Sequence, residues 1–272
     1  MLAFLVAAAL IGALIGSFLN VVIARIPAQI EHADRQMDAM AKTDEPPPGI
    51  AWPGSHCPHC KHPIRIRDNI PVISWLLLRG RCRDCGQAIS ARYPFTELLT
   101  GAVTAWLVWQ YGLQPITGCL FVLSAWMIAM AVIDYETTLL PDALTLSGLW
   151  LGLLVSVGTD FISPTLAILG AALGYSSLWV INTTYRWLRG IDGLGYGDFK
   201  LFALIGAWGG PEALLMTLVV APLAALGVLL LQAPFKGIDG QREIPFGPYL
   251  AIAGWVAITA PTAIASALPP WG

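Results

Sequence analysis

Two carboxylates stand at the edges of apolar runs. Asp198 closes the stretch Gly195-Tyr196-Gly197-Asp198 and opens the run 199–208, and Asp134 closes the run 125–133. An ionisable side chain at a membrane boundary is costly, which makes it a functional candidate by default. The glycines on either side of Tyr196 let backbone approach closely and let a helix begin beside the acid. The same four residues also spell a glycine turn in which Asp198 simply caps the next helix. Should the two acids meet, their chemistry is that of a dyad. Two carboxylates about 3 Å apart share one proton, so one activates water while the other protonates the scissile carbonyl or the leaving amide. Two neighbouring acids read differently: Asp142, behind Pro141, as a helix N-cap, and Glu136 as a solvated loop residue.

A second constellation offers metal chemistry. Cys57-Pro58-His59-Cys60 and Cys82-Arg83-Asp84-Cys85 are two C-x2-C knuckles with 21 residues between them, a pattern that zinc ribbons use with slightly shorter separations. Two knuckles supply four thiolates, a tetrahedron without an open position, so Zn²⁺ held by Cys57, Cys60, Cys82 and Cys85 would be structural. A pair of disulfides is the other reading, and it requires an oxidising compartment. His56, His59 and His62 are candidate replacement ligands or solvated loop residues.

The elements that must position these groups are membrane helices. The chain of 272 residues is 56% hydrophobic and only 12% charged, with a mean hydropathy of +0.67, against about 25% charged residues in a soluble domain. Apolar runs at 2–24, 95–113, 115–133, 143–158, 164–188, 199–210, 211–232 and 246–268 predict about eight transmembrane helices. The run 2–24 lacks a preceding basic residue and a small-x-small cleavage site, so a retained helix is expected, ended by Arg25-Ile26-Pro27. Gly12 and Gly16 form a GxxxG pair suited to close helix packing. The segment 199–210 is short for an untilted span. No basic stripe with interleaved aromatics is present, which argues against nucleic acid as a partner. The fold class is therefore an all-α polytopic membrane protein with a zinc-binding loop domain between its first two spans.

Residues 25–94 differ from the rest. They hold ten of the fifteen Lys and Arg, all four His and four of the five Cys. Their first part, 31–49, is polar, ends in Pro46-Pro47-Pro48 and reads as a mobile loop. With the N-terminus outside, all fifteen basic residues fall on one side and the loops 112–114, 158–163 and 209–210 carry none. The positive-inside rule selects this arrangement and requires 199–210 to cross. The cysteine module is then cytoplasmic, where thiols stay reduced, which favours metal over disulfides. Asp134 and Asp198 both fall at the cytoplasmic ends of their spans, at about one depth.

The chain resembles the type IV prepilin peptidases, bifunctional leader peptidases and N-methyltransferases of type IV pilus and type II secretion systems. The matching stretches are GSFLNVVIARIP at 16–27, CPHC at 57–60, RDNIPVISWLLLRGRCRDCGQAISARYPFTELLTG at 67–101, AVIDYETTLLPDALTL at 131–146, GLGYGDFKLFALIGAWGG at 193–210 and IPFGPYL at 244–250. The resemblance implies an aspartic peptidase of the GxGD type in the bacterial inner membrane, with catalytic aspartates at Asp134 and Asp198 and zinc on Cys57, Cys60, Cys82 and Cys85. It implies prepilins and pseudopilins as substrates, cleaved after a Gly at the junction of basic leader and apolar helix. It also implies methylation of the new N-terminus from S-adenosylmethionine, whose binding residues are left unassigned. The expected division is 1–24 as the first transmembrane helix, 25–94 as the cytoplasmic zinc module and methyltransferase part, and 95–272 as a seven-helix peptidase domain. Departures are small: family members usually carry Glu where Asp192 stands and Met where Leu194 stands.

Two other classes compete. A transporter would use its membrane acids to carry protons or cations, and predicts acids deeper in the spans. A zinc-binding membrane regulator without catalysis explains the cysteines but gives Asp134 and Asp198 no reason to share a depth.

Overall fold

A computed structural model describes residues 1–37, 46–236 and 245–259. Among the described residues the protein is helical and contains no strand, only the isolated bridges His56–Pro63 and Arg81–Ala88. The helices are α1 (Leu2–Met37), α2 (Ile73–Leu77), α3 (Arg92–Tyr111), α4 (Pro115–Thr137), α5 (Asp142–Gly158), α6 (Pro164–Arg189), α7 (Tyr196–Lys236) and α8 (Gly247–Thr259). The helices α1, α4, α6 and α7 as far as Ala233 are long and apolar enough to cross a membrane. The 41 residues of α7 would run about 60 Å if straight, about twice the hydrocarbon thickness of a bilayer. Gly210 resolves this: its φ of 67° and ψ of −170° break the helix into two limbs, a conformation open to a residue without Cβ. With those limbs counted separately, α1 and α3 to α8 supply the eight segments expected. The end of the last expected span, 260–268, lies outside the described residues.

The chain forms two compact units, Met1–Ala129 and Met130–Gly272. In the first, α1 packs along α3. A Cβ added at Gly12 would stand 2.7 Å from the Thr100 carbonyl oxygen, and one at Gly16 would stand 2.8 Å from Glu97 Cα. The GxxxG pair is thus consumed by packing within the chain.

The expected end of the first helix at 25–27 is corrected. The helix runs through Pro27 to Met37, so 31–37 is helical and not loop, while 38–45 lies outside the described residues. An internal proline removes a helix hydrogen bond, at a cost of about 3 kcal/mol. Side chains of the same stretch offset it. Arg25 is buried, and its guanidinium donates to the carbonyls of Gly49 at 2.5 Å and Pro53 at 2.8 Å, while Gln29 donates to Pro48 O at 2.9 Å. The segment 48–54 is strapped to α1 across the proline.

In the second unit the first limb of α7 is the central element. Phe199, Leu201, Phe202, Leu204, Ile205 and Trp208 are each at most 1% exposed, the all-round burial of a core helix. Leu204 and Trp208 fill the space above Gly148 and Gly152 of α5, the backbone of Phe202 and Ala203 meets Gly174 of α6, and Ile205 meets Gly254 of α8. Trp208 Nε1 donates to Gly148 O at 2.9 Å, which leaves no unpaired polar atom on that ring. This enclosure explains how so short an apolar run serves as a full element.

Candidate active site and cysteine centre

Asp134 lies near the C-terminal end of α4. Thr138 closes that helix in a left-handed conformation (φ 54°), its N–H donating to Asp134 O at 2.8 Å. The chain then passes through Leu140 to Pro141 and α5. Leu140 sits directly on the glycine stretch: a Cβ at Gly197 would lie 2.6 Å from Leu140 Cβ. The second glycine of Gly195-Tyr196-Gly197 is therefore needed for contact with the segment that follows Asp134. It does not serve as a turn at positive φ.

Asp198 occupies the first turn of α7, and its Oδ2 accepts from Gly195 N–H at 3.2 Å. Asp134 Oδ2 accepts from Gly247 N–H, the first residue of α8, at 2.9 Å. The carboxylates are 5% and 8% exposed and lie within electrostatic reach of each other. Both thus belong to one buried acidic site in the second unit, each oriented by a single backbone donor. Two buried like charges within reach of each other repel, which disfavours ionisation of both at once.

The neighbouring acids sit elsewhere. Asp142 is the first residue of α5, preceded by Pro141 as the cap, and its carboxylate pairs with Lys200 Nζ. That pair ties the start of α5 to the second turn of α7. Glu136 lies within α4 and is not in a loop.

The cysteine knuckles are near copies of one another. Cys57 N–H donates to His62 O at 3.0 Å and Lys61 N–H to Cys57 O at 2.9 Å; Cys82 N–H donates to Gln87 O at 2.8 Å and Gly86 N–H to Cys82 O at 3.0 Å. Lys61 and Gly86, four residues after Cys57 and Cys82, are both left-handed, with φ of 59° and 71°. The sulfurs of Cys57, Cys60, Cys82 and Cys85 all lie within 4.8 Å of one another, and Cys57 Sγ stands 3.8 Å from Cys85 Sγ. A tetrahedral site with metal–sulfur bonds of about 2.3 Å has edges of about 3.8 Å. The donor set fits one metal ion and could hold it with no further ligand.

The thiols themselves are unevenly poised. The Cys60 backbone N–H leads the groups that hold the Cys57 thiol down to about 7. At Cys85 the Gln87 N–H pulls the thiol down, but burial and the three neighbouring sulfurs push it up to about 12. Four thiolates crowded this closely call for a cation among them. The histidines lie outside the cluster, His62 facing Asp84 at 4.0 Å and His56 facing Gly54 O. A bidentate pair, Arg83 Nε to Asp68 Oδ2 at 2.8 Å and NH2 to Oδ1 at 2.6 Å, ties the second knuckle to the turn at Ile66–Asp68. The Arg83 guanidinium holds the Asp68 carboxyl below its ordinary range.

Comparison with known proteins bears on the whole chain. Residues 10–111 match the bacterial Peptidase A24 N-terminal domain and residues 121–230 match the type IV leader peptidase family. The chain belongs to the type IV leader peptidase family. As a member it is a multi-pass membrane peptidase. It is 43% identical over 265 residues to the prepilin leader peptidase/N-methyltransferase of Stutzerimonas stutzeri, covering 94% of this chain and 91% of that one. It is 42% identical over 270 residues to the protein of that name from Neisseria gonorrhoeae, covering 97% and 93%. The one from Pectobacterium carotovorum subsp. carotovorum is 44% identical over 250 residues, covering 90% and 88%. No solved structure matches the chain.

Three residues around the buried carboxylates carry roles that sequence reading did not assign. Gly247 was legible only as part of IPFGPYL, without a partner. Asn182, buried in α6, accepts from Gly193 N–H at 2.8 Å and Leu194 N–H at 3.0 Å and donates to Asp192 Oδ1 at 3.0 Å. It holds the loop that leads into Gly195 and Asp198. Lys200, two residues after Asp198 and counted in the sequence only among the fifteen basic residues, pairs with Asp142. A polar residue late in an apolar helix was the only signal available for Asn182.

Proposed function

We propose that the protein removes the short basic leader of type IV prepilins and pseudopilins through an aspartyl dyad of Asp134 and Asp198. The observation that carries this reading is that both carboxylates are buried in the same compact unit within electrostatic reach of each other, each with one backbone donor. In the reaction one carboxylate, ionised, takes a proton from water as that water attacks the scissile carbonyl. The other, protonated, gives its proton to the carbonyl oxygen; as the tetrahedral intermediate collapses, the first passes the proton it took from water to the leaving nitrogen and the second takes a proton back from the gem-diol hydroxyl. The Gly247 and Gly195 N–H groups orient the carboxylates and leave the remaining lone pairs for water and substrate. Nothing in the site or the comparisons favours a transporter or a non-catalytic regulator.

The cysteine cluster is read as a closed Zn²⁺ site on Cys57, Cys60, Cys82 and Cys85, which would stabilise the module without touching substrate. Charge placement supports an inner-membrane protein with the N-terminus on the periplasmic side and both the dyad and the zinc module on the cytoplasmic side. The names of the relatives support N-methylation of the new N-terminus, with S-adenosylmethionine as methyl donor. Among the described residues no glycine-rich loop marks a cradle for it. The division 1–24, 25–94 and 95–272 assigns this second activity to the middle part.

The test is incubation of the purified, detergent-solubilised protein with a prepilin and S-adenosylmethionine, followed by intact-mass measurement. Leader loss with a further gain of one methyl group is expected. Failure to cleave any prepilin or pseudopilin offered would overturn the peptidase reading, and cleavage without mass gain would overturn the methyltransferase reading alone.

A further inference from the structure

The hairpin between the two cysteine knuckles presents an apolar face that the chain leaves uncovered. Ile66 is 92% exposed, Ile73 52%, Leu76 61% and Leu77 77%, with Ile70 exposed beside them. Ile73, Leu76 and Leu77 stand three and four residues apart on α2 and so share one side of it. The other side is built in. Ser74 Oγ donates to Arg67 O at 2.9 Å and accepts from Ile70 N–H at 3.0 Å, and Trp75 Nε1 donates to Ile89 O at 3.1 Å. The face is therefore held outward by a folded hairpin.

Its level is fixed by a single bond. Val72 N–H, at the start of α2, donates to Glu97 Oε2 at 2.7 Å. Glu97 lies in the second turn of α3, where the span begins, and its helix neighbours Phe95 and Leu98 are 60% and 58% exposed, as bilayer-facing residues are. Val72 accepts a φ of 61° to make this bond, a conformation β-branched residues avoid. The exposed face of α2 is thereby pinned to the mouth of a transmembrane helix. Around it Arg67, Arg79 and Arg81 are exposed, and none of the three makes an ion pair among the described residues. Apolar residues on one side with arginines at the edges is the composition of a segment lying in a membrane interface, and arginines there favour anionic headgroups.

We infer that the hairpin 64–81 is an interfacial membrane anchor, with Ile66, Ile70, Ile73, Leu76 and Leu77 seated among lipid acyl chains and Arg67, Arg79 and Arg81 on the headgroups of anionic phospholipids. Charge complementarity and continuity with α3 select lipid as the occupant. The cysteine module is then docked on the bilayer at two places, by its flanking spans and by this face, so its knuckles are held against the surface.

The test uses the full-length, zinc-loaded protein in nanodiscs of phosphatidylcholine with and without phosphatidylglycerol. The photo-crosslinker benzoylphenylalanine replaces Ile73, Leu76 or Leu77 one at a time, with Leu14 on the outer face of α1 as the membrane control and exposed Pro58 on the first knuckle as the aqueous one. Zinc content and leader cleavage confirm folding of each variant. Lipid adducts are expected at 73, 76 and 77 at yields like that at 14, with none at 58. The combined variant Arg67→Gln, Arg79→Gln, Arg81→Gln should lower those yields severalfold in discs containing phosphatidylglycerol. Adducts at 14 but none at 73, 76 and 77 would overturn the inference, as would cross-links at these positions to added prepilin in place of lipid. Yields unaffected by phosphatidylglycerol and by the arginine variant would overturn the choice of anionic headgroup.

Discussion

The backbone N–H of Gly247 donates to Oδ2 of Asp134 at 2.9 Å, across 113 residues of sequence. The approach leaves no room for a side chain: a Cβ at position 247 would lie 2.8 Å from the same oxygen. Gly247→Ala should therefore push the Asp134 carboxylate out of place while leaving its chemistry intact. A misplacement of about 1 Å costs roughly 100-fold, and a fall of that order in kcat for leader cleavage is expected, with zinc content unchanged. Activity within twofold of wild type would show that Asp134 does not need this position.

Substitution within the dyad should be more severe. Asp134→Asn and Asp198→Asn keep size but remove the ionisable group, so each alone should lower cleavage by ~10³-fold or more, and the double variant should add little because the pair acts as a unit. Asp142→Asn should be far milder, since that carboxylate is occupied by Lys200. Single-turnover cleavage of a prepilin by each variant separates these cases. A single variant that cleaves near the wild-type rate removes its residue from the dyad.

Asn182→Ala would leave the N–H groups of Gly193 and Leu194 without their acceptor. Gly193 is exposed and Leu194 half-buried, so each lost bond costs about 0.5–1.5 kcal/mol. The loop before Asp198 should loosen, seen as faster amide exchange over 191–197, and kcat should fall by about tenfold through misplacement of Asp198. Unchanged exchange in that loop would place its rigidity elsewhere.

Cys57→Ser or Cys82→Ser should abolish stoichiometric zinc. A structural zinc contributes on the order of 10 kcal/mol to a small module, so protection from proteolysis over 50–90 should be lost with it. Leader cleavage should be less affected, because the aspartates lie in the other compact unit. Elemental analysis and limited proteolysis read both effects; zinc retained after both substitutions contradicts the site.

Single cysteines introduced on a background lacking Cys119 should react with impermeant reagent from the cytoplasmic side at 186–192 and from the periplasmic side at 158–163. Labelling of 186–192 from outside would reverse the proposed orientation and carry the dyad with it.

The spans were legible because a bilayer demands long apolar runs, and that demand is local in sequence. The cysteine site was legible for the same kind of reason: two thiols at C-x2-C spacing are neighbours in any compact turn, and only the meeting of the knuckles needed the fold. The first helix was misjudged at Pro27 because the carbonyls that hold Arg25, at Gly49 and Pro53, lie more than twenty residues away. Pattern and charge could place Asp134 and Asp198 at one depth, but depth is a single coordinate. Tertiary structure supplied the others. Leu140 settles on Gly197, Gly247 reaches Asp134, and Asn182 braces the loop before Asp198, each a contact between segments whose separation no periodicity records. Likewise α2 reads as apolar in any frame, and only Ser74 and Trp75 turning inward decide that Ile73, Leu76 and Leu77 face out.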